Sequence, residues 1–222
     1  MADDRHSAGV FDAIGNAQGA AEIAAPAIAR AKALPIWRDA VEPQLLSGGL
    51  SNINLTVDDD GKRYVVRIGE DEPHLGVFRA NEVMSLRAAH AAGVAAEVFH
   101  SEPGLIVLGY IPGRNLKPED LHAPDMIVRA AELIRRLHDE THKHLEGSGA
   151  VFWPFHHNRW YVRQLRERGA ALDEKWRALL PNLVAENDEL EATIGKTHNV
   201  YGHNDINPQN IVLDDDGRLW FV

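Results

Sequence analysis

Ile53, Leu55 and Val57 alternate with Asn52, Asn54 and Thr56, the period of two that marks a half-buried strand. Gln44-Leu45-Leu46 leads into this strand, Asp58-Asp59-Asp60-Gly61 turns the chain, and Tyr64-Val65-Val66-Arg67-Ile68 returns as its partner. The period then lengthens. Val77 to His90 carries Phe78, Leu86 and Ala89 near helical spacing, and Gly93 supplies a natural stop. Two further apolar runs, residues 96–99 and 105–108, flank the turn at Pro103-Gly104. Gly109-Tyr110-Ile111-Pro112-Gly113-Arg114 then reads as a connector between a sheet part and a helical part.

Beyond the connector, Ile127, Ala130, Ala131, Ile134 and Leu137 predict one amphipathic helix, with Pro124 in its first turn. Residues 173–194 predict another, with Trp176, Leu179, Leu180, Leu183 and Leu190 as core candidates. Between them lies an aromatic cluster, Phe152, Trp153, Phe155, Trp160 and Tyr161, around His156 and His157. Packing is its default reading, and a cage for a quaternary ammonium is the sharper one. Residues 1 to about 35 are Ala-rich, interrupted by Gly9, Gly15, Gly19 and Pro26, with only a weak stripe of Ile14, Ile23 and Ile28. They read as a partly ordered extension without chemistry. The pattern predicts an α+β chain with an extension (1–40), a sheet lobe (41–108) and a mainly helical lobe (109–222).

Composition narrows the function. With 33 Asp plus Glu against 23 Lys plus Arg, the formal charge is -10, which argues against sequence-independent binding to nucleic acid or to an anionic membrane. The absence of cysteine excludes disulfides, thiolate zinc sites and a cysteine nucleophile. No apolar run approaches a membrane span and the N-terminus lacks signal-peptide shape, so a cytoplasmic protein is expected.

Candidate chemistry concentrates near residue 205. His203, Asp205 and Asn210 stand in the order His-x-Asp-x-x-x-x-Asn on a polar loop before the apolar run Ile211 to Leu213. Kinase catalytic loops need this spacing: an aspartate reaches a substrate hydroxyl while an asparagine offers its carbonyl oxygen to a phosphate-bound magnesium. Asn207-Pro208 is also a strong turn signal, so a plain turn is the competing reading. Upstream, Gly48 and Gly49 at a strand start could let backbone N–H groups approach phosphate, although Gly-Gly alone is more often a hairpin turn. Arg67 is either a strand-edge residue in water or a phosphate ligand, and Glu82 on the following helix is either its ion-pair partner or a solvated acid. His138 and His142 share a helix face, but the glutamate that a zincin needs directly after the first histidine is replaced by Asp139. A solvated helix end is preferred there to a metal centre.

Taken in order, these stretches resemble the choline/ethanolamine kinase and aminoglycoside phosphotransferase group of the protein-kinase-like fold. Residues 46–52, 64–69 and 79–82, the connector 110–114, Leu137-His138 and residues 203–210 carry the resemblance, which covers about residues 41 to 222. It implies a two-lobe fold with a small antiparallel N-lobe and an incomplete, mainly helical C-lobe. It implies ATP and magnesium as cofactors and a small alcohol as acceptor, an amino alcohol before an aminoglycoside. Asp205 and Asn210 would be catalytic, with Asn210 also the metal ligand; Gly48, Gly49, Ser51, Asn52, Arg67, Glu82 and Tyr110 would hold the nucleotide. The group has a second magnesium-binding aspartate directly after the last hairpin, a place this chain does not reach beyond Trp220-Phe221-Val222. A C-terminally truncated phosphotransferase with little activity of its own is therefore expected. A nucleotide-binding pseudokinase or interaction module and a histidine-based metallohydrolase are the alternatives.

Overall fold

The computed structural model describes residues 17–46, 52–73 and 76–222. A first helix, α1 (Ala17–Lys32), precedes a five-stranded antiparallel sheet of β1 (Gln44–Leu45), β2 (Ile53–Asp59), β3 (Lys62–Ile68), β4 (Val98–Glu102) and β5 (Leu105–Gly109). The strands lie in the order β1-β2-β3-β5-β4, with α2 (Arg79–Ala91) inserted between β3 and β4. After the connector come β6 (Gly113–Asn115), α3 (Pro124–Glu140), α4 (Pro154–Glu167), α5 (Glu174–Thr193), β7 (Ile211–Asp214) and β8 (Leu219–Phe221). The three short strands form a second antiparallel sheet in the order β6-β7-β8.

The predicted alternation decides the first sheet. Leu55, Val57, Tyr64, Val66, Leu105 and Val107 are all buried in one core, while Asn54 and Arg67 pair in register elsewhere on the β2–β3 ladder. Asp59 in the hairpin is buried too, and its carboxylate accepts the backbone N–H groups of Arg38 and Asp39 at 3.1 to 3.3 Å. Its burial is thereby satisfied.

Part of the extension packs on the sheet lobe. Residues 17–32 form a helix that contains Pro26 rather than stopping at it; Ala24, Ala27 and Ala31 are buried, the last two in the sheet core. Alanine carries little hydrophobic contrast, so such a stripe is faint in sequence even where it packs closely. Trp37 Nε1 donates to the carbonyl of Ala31 at 2.7 Å, and Arg30 grips Glu102 at 3.1 Å together with the carbonyl of Pro103 on the β4–β5 hairpin. Residues 1–16 lie outside the described residues.

A second core joins the lobes. Ala89, Val94 and Ala95, at the end of α2 and just after it, are buried with Leu116, Met126, Ala130, Leu133, Leu137, Ile211, Leu219 and Phe221. Phe221 N–H donates to the carbonyl of Val94 at 2.8 Å, so β8 is tied to the loop that follows α2. On α3 the buried face runs through Met126, Ala130, Leu133 and Leu137, whereas Ile127 and Ala131, expected inside, are exposed. The helix is rotated because Met126 and Leu133 dock on this core.

The expected core of α5 also fails: Trp176, Leu179, Leu183 and Leu190 are all exposed. Among the described residues α5 packs chiefly on α4, where polar links run beside a half-open apolar gap lined by Phe155, Val162, Leu165, Leu180 and Val184. Asn158 donates to the buried Asn187 at 2.9 Å, and Arg159 pairs with Asp188 at 2.8 Å and with Glu191 at 2.6 Å. The aromatic cluster is not a buried core either. Phe152 and Tyr161 are exposed, no residue of α4 is fully buried, and Trp153 donates its indole N–H to Glu191.

Candidate active site

Between the sheet lobe and the helical lobe lies a cleft of about 1430 Å³. Asn52, Asn54, Arg67 and Glu82 line it from the sheet side, Tyr110 from the connector, and His203, Asp205, Asn207 and Asn210 from the loop before β7. Six of the expected site residues therefore face one space: Asn52, Arg67, Glu82, Tyr110, Asp205 and Asn210. Gly48, Gly49 and Ser51 lie outside the described residues.

Arg67 Nη1 donates to Glu82 Oε1 at 2.8 Å. The pair spans β3 and α2, with side chains 21% and 20% exposed, so it is neither a water-exposed strand edge nor a solvated helix acid. Burial works against the charge on Glu82, but hydrogen bonds from Arg67 and then from Arg79 outweigh it and hold the carboxyl below its ordinary value. Arg67 lines the cleft, and its Nε is buried without a protein partner, so the guanidinium is not saturated by Glu82. Tyr110, where the connector passes the cleft, donates its backbone N–H to Arg63 at 3.1 Å and carries the Arg63 guanidinium over its ring.

The polar loop is built locally. Asn204 takes a left-handed conformation, φ 64°, which asparagine tolerates better than most residues. Asn207 Oδ1 accepts from Gln209 N–H at 3.0 Å and, with Pro208 in the first position, opens a single 3₁₀ turn over Pro208–Asn210. That turn delivers Asn210 to Asp205. Asn210 Nδ2 donates to the Asp205 backbone carbonyl at 2.8 Å and to its Oδ2 at 2.9 Å. With its nitrogen engaged, the carbonyl oxygen of Asn210 is the atom left for a hard cation. A carboxylate and an amide oxygen form a donor set suited to magnesium, which commonly takes only one or two protein oxygens and completes its shell with water and phosphate.

His203 packs its ring on Phe221, centroids 5.1 Å apart. Burial lowers its pKa from the ordinary 6.5; Asp205 opposes that and Arg67 adds to it, so the imidazole is neutral at physiological pH. Asp214 is engaged in the β7–β8 hairpin, where its carboxylate accepts from Arg218 N–H at 2.6 Å and Trp220 Nε1 at 2.7 Å. His138 and His142 do not converge, since His142 Nδ1 faces the backbone carbonyl of His138 at 3.3 Å. Among the described residues no three His, Cys, Asp or Glu side chains are grouped to hold a metal.

Three contributors escaped the sequence reading. Asn54 lines the cleft opposite Arg67 in the ladder, Asn115 on β6 donates to the carbonyl of Gln209, and Arg79 binds Glu82 at 2.6 Å. Only the Arg79-x-x-Glu82 spacing left a trace in sequence, as a one-turn helix pair.

The family model of the phosphotransferase enzyme family, APH, matches residues 42–220. The chain belongs to this family. No curated protein matches it. Among solved structures, a choline/ethanolamine kinase family protein from Mesorhizobium loti is 28% identical, with a TM-score of 0.61 over 90% of this chain and 64% of its own. A choline kinase from Streptococcus pneumoniae is 20% identical, with a TM-score of 0.65 over 90% of this chain and 66% of its own. An aminoglycoside phosphotransferase, solved with AMP-PNP and hygromycin B, is 16% identical, with a TM-score of 0.57 over 82% of this chain and 66% of its own. The chain thus spans about two thirds of the length of these relatives, and its antiparallel N-lobe and helical part follow their protein-kinase-like fold.

Proposed function

We propose that residues 41–222 carry the nucleotide cleft and catalytic loop of an ATP-dependent phosphotransferase that moves the γ-phosphate to a hydroxyl of a small molecule. The observation that carries this reading is the meeting, across one cleft, of the Arg67–Glu82 pair with the Asp205–Asn210 pair. An amino alcohol of the choline or ethanolamine kind is the acceptor we favour, before an aminoglycoside, because the M. loti structure of that kinase family shares 28% identity. A cytoplasmic location belongs to the same proposal, since the reaction consumes ATP.

The geometry supports the following division of labour. Arg67, held by Glu82, offers its guanidinium to phosphate oxygens, and Asn52 lies on the same side of the cleft. Tyr110 flanks the connector against which the adenine would lie. Asp205 orients the acceptor hydroxyl and takes its proton as the oxygen bonds to the γ-phosphorus and ADP leaves with the bridging oxygen. Magnesium, held by the Asn210 carbonyl oxygen, would neutralise charge on the phosphates. Such transfers depend mainly on positioning and charge, which these groups supply.

Assay of the product of the full reading frame carrying these residues, with choline, ethanolamine and an aminoglycoside, tests the reading. ADP release that depends on one acceptor is expected; none with any member of the panel would overturn it.

A second reading, nucleotide binding without turnover, is favoured for residues 1–222 taken alone. Asp205 and Asn210 are bound to each other, and Asp214 is engaged elsewhere. Mg-ATP binding without ADP release by the 222-residue chain would support it.

A further inference from the structure

We propose that Arg79 is a positioning residue of the nucleotide-phosphate site: it holds Glu82 by the carboxylate oxygen that Arg67 does not use, and so keeps the Arg67 guanidinium available to phosphate. The proposal rests on the phosphotransferase reading and assigns that site a member outside its lining.

Arg79 is the first residue of α2, and its side chain is only 11% exposed. Three contacts fix it. Its backbone N–H donates to Asp71 Oδ1 at 2.7 Å, Nε to the Glu70 carbonyl at 3.0 Å, and Nη1 to Glu82 Oε2 at 2.6 Å. Arg67 takes the other oxygen, Oε1, at 2.8 Å. One carboxylate is thus forked between two guanidinium groups, leaving a local excess of positive charge inside a chain whose formal charge is -10. Arg67 lines the cleft while Arg79 stands behind it. Freed of Arg79, Glu82 could turn both oxygens to Arg67 in the bidentate geometry that guanidinium and carboxylate prefer, tying up more of the guanidinium that lines the cleft.

The space behind the cleft is shaped for this residue. A Cβ on Gly69, which follows β3, would lie 2.6 Å from Arg79 Nη2 and 2.5 Å from Asn52 Oδ1. A side chain there would oblige the ends of Arg79 and Asn52 to shift. Asn52 Oδ1 and Arg79 Nη2 are both buried without a partner, so the node joins the start of β2, the end of β3 and the start of α2 through groups that still have bonding capacity.

The test compares the unsubstituted 222-residue chain with Arg79→Met and Arg79→Lys by two readouts, Mg-ATP affinity in calorimetry and the carbon-13 titration of the Glu82 carboxyl. Arg79→Met is expected to weaken Mg-ATP about tenfold and to move the Glu82 midpoint upward, because a cation that favours the carboxylate is gone. Arg79→Lys restores that charge and should hold Glu82 low, with affinity within about threefold of the unsubstituted chain. Mg-ATP binding that survives Arg79→Met with Glu82 unmoved overturns the positioning role alone. Equal losses in both variants with Glu82 unmoved also overturn it, as those of a merely structural residue. No Mg-ATP binding by the unsubstituted chain overturns the phosphotransferase reading and, with it, the role of Arg79. Should Arg79→Met not fold, Arg79→Lys decides by the same two readouts.

Discussion

Asn210 donates its amide nitrogen to both the backbone carbonyl and the carboxylate of Asp205, at 2.8 and 2.9 Å. The acid therefore sets the orientation of the amide, and the amide oxygen is left for a cation. Asn210→Ala should weaken binding of Mg-ATP by about tenfold or more, while binding of ATP in the presence of EDTA changes little. Calorimetry across a range of magnesium concentrations separates the two terms.

Glu82→Gln should leave two partly buried arginines facing each other across a neutral amide. A stability loss of about 1 to 3 kcal/mol is expected by urea unfolding, because the charged hydrogen bonds disappear while the cations remain. The Glu82 carboxyl lies below its ordinary 4.5, so its contribution is complete above that pH and is lost as pH falls through the lower folded value. The acid limb of the stability curve should be shallower in Glu82→Gln.

His203 shows the same sign at higher pH. Its folded value lies below 6.5, so the unfolded chain takes up the proton first. Stability should be level above 6.5 and decline as pH drops below it toward the folded value. Melting curves from about pH 8 to about pH 5 should contain this slope, and His203→Phe, which keeps a ring against Phe221, should remove its share of it.

Among the described glycines, Gly113 on the connector is the one most crowded by an added side chain, against the β7–β8 hairpin. Its φ is 148°, and an added Cβ would lie 2.2 Å from the Leu213 carbonyl oxygen. Gly113→Ala should cost about 2 kcal/mol or more, read as a lower urea midpoint. Gly61→Ala is the comparison, since its φ is 73° but nothing lies within 4 Å.

Much of the sheet lobe was legible in sequence because one face is buried and the alternation of residues 53–57 and 64–68 records it directly. The Asp205–Asn210 pair was legible for a related reason: both residues lie on one short loop, so spacing stands in for distance. The α1 helix was not, since its buried stripe of Ala24, Ala27 and Ala31 has little contrast with its other faces. Helix α5 failed in the opposite direction. Its leucines have helical period, but only contact decides burial, and here the one buried residue of the helix is Asn187. Asn115 and Gln209 lie 94 positions apart, and no local pattern announces the bond between them. Arg79 was hidden because a one-turn arginine–glutamate pair is also an ordinary feature of helix surfaces.

The phosphotransferase account depends most directly on Mg-ATP occupying the cleft between Arg67 and Asp205. Calorimetric titration of Mg-ATP into the 222-residue chain and into Arg67→Met tests this. The account predicts saturable binding at one site, displaced by ADP and weakened about tenfold or more by Arg67→Met. No saturable binding, or binding that Arg67→Met leaves unchanged, would contradict it.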